Sequence, residues 1–178
     1  MNKARRIAVD GVLSALYFSL SLLTITSGNL QLRFTSLALL FAALFFGTAD
    51  ACAVALIGEL LYQVILYGLS ATTPIWLLPP VLHALLLGLM VRFVRAHVPE
   101  KKQNPALFVG AVLCGLCNAL LNTAALYADS RIYGYFVDDF ASGFWMLALL
   151  RLGIGALTAA LAAAIAIPMI RILQRRQP

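Results

Sequence analysis

Charge is what this chain has least of. Of its 178 residues only 11% are charged and 62% are hydrophobic, and the mean hydropathy is +0.93. Soluble domains are about half apolar and a quarter charged, so a soluble globular protein is excluded. Histidine is scarcer still. The two copies, His83 and His97, form no His–acid pairs at helical spacing of the kind a membrane metalloprotease needs. No serine stands in a nucleophile motif, and no glycine-rich loop precedes a helix to hold phosphate. Neither hydrolysis nor self-powered pumping is encoded, so no enzyme activity and no cofactor are expected. The three cysteines, Cys52, Cys114 and Cys117, all fall in apolar segments. The Cys114–Cys117 spacing lacks a second ligand pair for zinc and reads as small packing residues, with no metal. No small-residue processing site follows the first apolar segment, which is long enough to span a bilayer.

What the chain has is long apolar runs. A membrane helix needs about 20 apolar residues, which leaves room for about six spans and short loops. The runs predict spans at about 7–27, 34–46, 49–67, 74–94, 105–126 and 142–173. The expected fold is all-α, an integral membrane six-helix bundle forming a single transmembrane domain. The net charge of +6 does not point to nucleic acid, because ten of the thirteen Lys and Arg residues cluster at the N-terminus, around Pro99 and at the C-terminus. That bias marks cytoplasmic segments, and an even number of spans puts both termini on that side. Pro74 suits the first turn of span four, whereas Pro79 and Pro80 are expected to kink or open it. Gly11, Ala15 and Ser19 recur every four residues as a smooth stripe, either internal packing or a docking face for a partner subunit.

Polar groups converge by depth. Glu59, His83 and Arg151 each lie about nine or ten residues into a span, which at 1.5 Å per residue places all three near the midplane. Either Glu59 and Arg151 form an internal ion pair with His83 as a polar neighbour, or the three floor a pocket; intramembrane ionisable groups favour function. Glu59 and Gln63 share a helical face, as do Asn118 and Asn122, and as do Trp76, Pro80 and His83. An aromatic wall, amides and a carboxylate suit a flat heterocycle, with Glu59 accepting two hydrogen bonds from an aminopyrimidine edge. Arg33 and Arg131, at the outer rim, suit bidentate contact with a ligand carboxylate. The longest outer loop is expected from Tyr127 to Ala141, carrying Tyr133, Tyr135, Phe136, Asp138 and Asp139.

The run Leu32-Arg33-Phe34 through Phe46-Gly47 to Gly58-Glu59-Leu60-Leu61 resembles the substrate-binding (S) components of energy-coupling factor (ECF) vitamin transporters. It is closest to their folate branch. Leu121-Asn122-Thr123, Leu126-Tyr127 and Arg151 resemble that branch too, and the Gly11–Ala15–Ser19 stripe resembles the family's coupling surface. The chain departs from the branch at Glu59 and Tyr62, where Asp and Gly are frequent, and at Thr73-Pro74-Ile75-Trp76, which replaces an aromatic Pro-Gly-Phe-Thr sequence. The resemblance implies a vitamin-like small molecule bound under the loop between spans one and two. It also implies a transmembrane coupling subunit, two cytosolic ATPases, and delivery by reorientation in the lipids of a prokaryotic plasma membrane. The alternative is a non-transporting scaffold of the rod-shape-determining MreD-like type, in which no pocket is occupied.

Overall fold

A computed structural model describes residues 3–27, 30–134 and 140–175, with side chains described over 3–24, 33–134 and 146–169. The helices are α1 (Lys3–Leu22), α2 (Ser36–Phe45), α3 (Thr48–Tyr67), α4 (Thr73–His97), α5 (Glu100–Tyr133) and α6 (Phe140–Arg175). A two-stranded hairpin, β1 (Ile25–Ser27) and β2 (Leu30–Leu32), joins α1 to α2. Among the described residues four stretches are long and apolar enough to cross a membrane: α3, α4, α5 and Met146–Met169 of α6.

At its centre lies the shortest helix. Seven of the ten residues of α2 are buried, from Ser36 to Leu44, because α1, α3, α4 and α6 all pack around it. At 10 residues it is about 15 Å long, half a bilayer core. Gly47, at φ 103°, then turns the chain into α3 in a conformation that side chains disfavour. Asp50, in the first turn of α3, takes a bidentate contact from Arg6, with Nε to Oδ1 at 2.8 Å and Nη2 to Oδ2 at 2.7 Å. Arg95 of α4 donates to the carbonyl of Leu44 at 2.7 Å, placing positive charge where the dipole of α2 ends.

Small residues set the helix crossings. A Cβ added at Gly115 would come within 2.4 Å of the Ala159 Cβ and 2.9 Å of the Gly155 carbonyl oxygen. One added at Gly155 would meet the Ala119 Cβ at 2.8 Å and the Gly115 carbonyl oxygen at 3.1 Å. Gly115/Ala119 on α5 and Gly155/Ala159 on α6 are thus a reciprocal small-xxx-small pair, the pattern that lets membrane helices approach closely. Gly11, Ala15 and Ser19 behave differently. All three are exposed, and a Cβ at Gly11 would meet nothing within 4 Å. Among the described residues, then, no helix packs over that stripe.

Several boundaries differ from the sequence reading. The first helix ends at Leu22 rather than Ser27, and the hairpin follows. Thr24, Ile25 and Thr26 carry β-branched side chains that favour strands. The fifth helix runs past Leu126 to Tyr133, where Gly134 ends it in a left-handed conformation, so the long outer loop is mostly helix. Tyr135, Phe136, Asp138, Asp139 and Arg176 lie outside the described residues. Pro79 and Pro80 do not break α4, which is helical throughout; the local effect is that the Ile75 and Trp76 carbonyls lose their usual intrahelical donors.

Candidate functional site

A cavity of about 480 Å³ lies within the bundle, and all six helices contribute to its wall. The contributions follow helical spacing. From α3 come Glu59, Gln63 and Tyr67; from α4, Trp76, Pro80 and His83; from α5, Asn118, Asn122, Leu126, Asp129 and Tyr133; and from α6, Arg151, Ile154, Gly155 and Thr158. Tyr17 of α1, Ser36 and Leu39 of α2, and Arg33, beside the hairpin, complete most of the lining. The volume falls in the range of small-molecule sites.

Glu59 is 2% exposed, and its carboxylate is well filled by protein. Tyr17 Oη donates to Oε2 at 2.8 Å, Gln63 Nε2 to Oε1 at 2.9 Å, and Arg33 Nη1 to Oε1 at 3.3 Å. The Arg33 guanidinium also lies 4.4 Å from the centroid of the Tyr62 ring, a cation–π arrangement. Tyr62 thus supplies the platform beneath Arg33. Gly58 makes the network possible: a Cβ there would fall 2.5 Å from Tyr17 Cδ1, so only glycine lets the phenol ring lie flat on α3. The Arg6–Asp50 and Tyr17–Glu59 contacts, at sequence separations of 44 and 42, show that α1 and α3 run parallel. Tyr17→Phe removes a buried hydrogen bond to a charged group and is expected to cost about 2 kcal/mol, read as a lower melting temperature in detergent. An unchanged melting temperature would mean that the Tyr17 hydroxyl is not part of the network.

The ion pair between Glu59 and Arg151 does not form. Arg33 holds Glu59, and Arg151 Nη1 donates to the Asn122 carbonyl at 3.4 Å, because α6 packs chiefly along α5. Asn122 Nδ2 in turn donates to the backbone and side-chain oxygens of Asn118 at 2.9 and 3.0 Å. Of the nine residues assigned from sequence to a ligand site, Arg33, Glu59, Gln63, Trp76, His83, Asn118, Asn122 and Arg151 line the cavity, and Arg131 does not. Arg131 is exposed and donates from Nε and Nη2 to Tyr127 Oη at 3.1 and 2.9 Å. The continuation of α5 explains this: two residues on from Asp129, Arg131 sits about 200° around the helix and faces away.

Sequence reasoning missed Tyr17 and Asp129. The first sits on the helix singled out for its small stripe; the second fell in what was read as loop. Among the described residues no group of three or more His, Cys, Asp or Glu is placed to hold a metal ion, and the Cys114 and Cys117 thiols are free.

A family model described as ECF transporter, substrate-specific component, matches residues 5–171. The fold is similar to a solved S component of a bacterial ECF transporter, with a TM-score of 0.69 and 18% identity over 98% of both chains. No curated protein matches the chain significantly.

Proposed function

This chain belongs to the substrate-specific components of ECF transporters, multi-pass membrane proteins, and on that premise we propose that it captures a vitamin, folate or a related small molecule, in the cavity described above. The observation that carries the reading is the cavity itself: about 480 Å³ walled by Arg33, Glu59, Gln63, Trp76, His83, Asn118, Asn122 and Arg151. A scaffold has no use for a polar chamber of this size inside lipid, where each unsatisfied polar group is expensive. The ligand enters from the extracellular side, at the end of the bundle that carries the hairpin. Six spans with both termini in the cytoplasm of a prokaryotic cell agree with the clustering of Lys and Arg at the opposite end.

The exposed Gly11–Ala15–Ser19 stripe meets a transmembrane coupling subunit. Two cytosolic ATPases supply the energy, and the chain delivers its cargo by reorienting as a body. Ala15→Trp is expected to abolish co-purification of the coupling subunit while ligand affinity stays within twofold; loss of both would assign the stripe to folding instead.

Binding can be read from within the cavity. The chain has two tryptophans, and Trp76 lines the cavity. In a Trp145→Phe background, titration with folate, riboflavin, thiamine and biotin is expected to give saturable quenching by one of them. Arg151→Ala should raise that Kd about 10-fold or more, the value of one hydrogen bond to a charged group. Fluorescence unmoved by every member of the panel would contradict the reading.

A further inference from the structure

Two polar side chains in the cavity wall are buried and unsatisfied. Asp129 is 5% exposed and His83 2% exposed, and neither Asp129 Oδ1 nor His83 Nε2 has a hydrogen-bond partner among the described residues. Both residues line the same cavity, from α5 and α4. Burying an acceptor without a donor is costly, and more so when it is charged, so such a group persists where something else supplies the donor. Glu59 presents the opposite case. Its two oxygens already accept from Tyr17, Gln63 and Arg33, which leaves little capacity for a ligand.

From this contrast we infer that Asp129, and not Glu59, is the carboxylate that recognises the ligand, and that the ligand presents to it the N–H donors of an aminated heterocycle. The inference rests on the small-molecule reading above. Trp76 and Tyr133, from α4 and α5, both line the same cavity and offer aromatic faces for a flat ring. Glu59 is then a positioning residue, fixing Arg33 and Tyr17 at the cavity edge. The acceptor role assigned to Glu59 from sequence passes to a residue two helices further along the chain.

The test uses matched probes that differ by replacement of an exocyclic amine with an oxo group: thiamine and oxythiamine, pterin and lumazine, adenine and hypoxanthine. Each is titrated against the full chain in detergent, in wild type, Asp129→Asn and Glu59→Gln. At least one amine probe is expected to bind wild type 10-fold or more tightly than its oxo partner. Asp129→Asn should erase that ratio with little change in melting temperature, since the two side chains have nearly the same shape. Glu59→Gln should weaken both members of the pair alike and keep the ratio. If Asp129→Asn fails to fold, Asp129→Ser takes its place.

A ratio that survives loss of the Asp129 carboxylate, or one erased by Glu59→Gln, overturns the inference. So does tighter binding of the oxo member. Binding of a vitamin in the fluorescence titration with no amine probe bound also overturns it, leaving the capture reading intact. Silence in both assays removes the capture reading and the inference with it.

Discussion

Glu59→Ala is expected to be the most damaging substitution in the cavity wall. The carboxylate is 2% exposed and holds three side chains, so its removal takes from the Arg33 guanidinium the carboxylate that balances its charge. Breaking a fully buried ion pair from one side costs about 3–5 kcal/mol, chiefly through the charge left behind; with the Arg33 side chain partly exposed, the cost here falls at or below the lower end. Ligand affinity should fall with stability, because Arg33 and Tyr17 lose the group that fixes them. A double variant separates the two effects. Arg33→Met with Glu59→Leu removes both charges, and replacing a buried pair by apolar residues is often close to neutral, so the melting temperature should recover most of the loss while binding stays weak. Equal destabilisation by the single and double variants would mean that the pair is not the source of the cost.

The second large effect lies outside the polar site, at the α5–α6 crossing. Gly115→Ala places a methyl group where the Ala159 Cβ is 2.4 Å away and the Gly155 carbonyl oxygen 2.9 Å away. Neither neighbour can rotate aside, so the helices must separate, at a cost of about 3 kcal/mol, the upper part of the usual range for overpacking. Gly155→Ala should be milder, since its contacts would be 2.8 and 3.1 Å. Adding Ala159→Gly to Gly115→Ala should rescue only part of the loss, because the backbone oxygen remains. Gly11→Ala is the control: with nothing within 4 Å, it should be neutral or slightly stabilising through helix propensity. Thermal melting in one detergent ranks all four. If Gly11→Ala proves as harmful as Gly115→Ala, the assignment of the internal and external stripes is reversed. Because Gly155 also lines the cavity, loosening this crossing should weaken ligand binding as well.

The sequence carried the faces of helices well and the identity of partners poorly. Glu59 and Gln63, Asn118 and Asn122, and Trp76 and His83 were assignable to shared faces because a 3.6-residue period is local. Which arginine reaches Glu59 is a tertiary matter. Depth alone pointed to Arg151, with Arg33 placed at the outer rim, whereas Arg33, directly after the hairpin, is the arginine that reaches Glu59. Gly58 was quoted as motif, but its physical use appears only once Tyr17 lies against it. Asp129 is hidden because an apolar run of roughly 20 residues, enough to span, ends at Leu126, whereas α5 continues to Tyr133. The small-residue pattern was read on α1, where a one-sided stripe is obvious. The reciprocal pair on α5 and α6 needs two helices to be seen at once.

The central claim is that the isolated chain holds one small molecule in its cavity. Native mass spectrometry of the protein purified in mild detergent tests it most directly. The account predicts a stoichiometric adduct of one vitamin-sized molecule, lost in Glu59→Ala and weakened in Asp129→Asn. An apo spectrum from cells supplied with a full vitamin panel, with no adduct on adding the panel back, would contradict it and favour a structural role in the membrane.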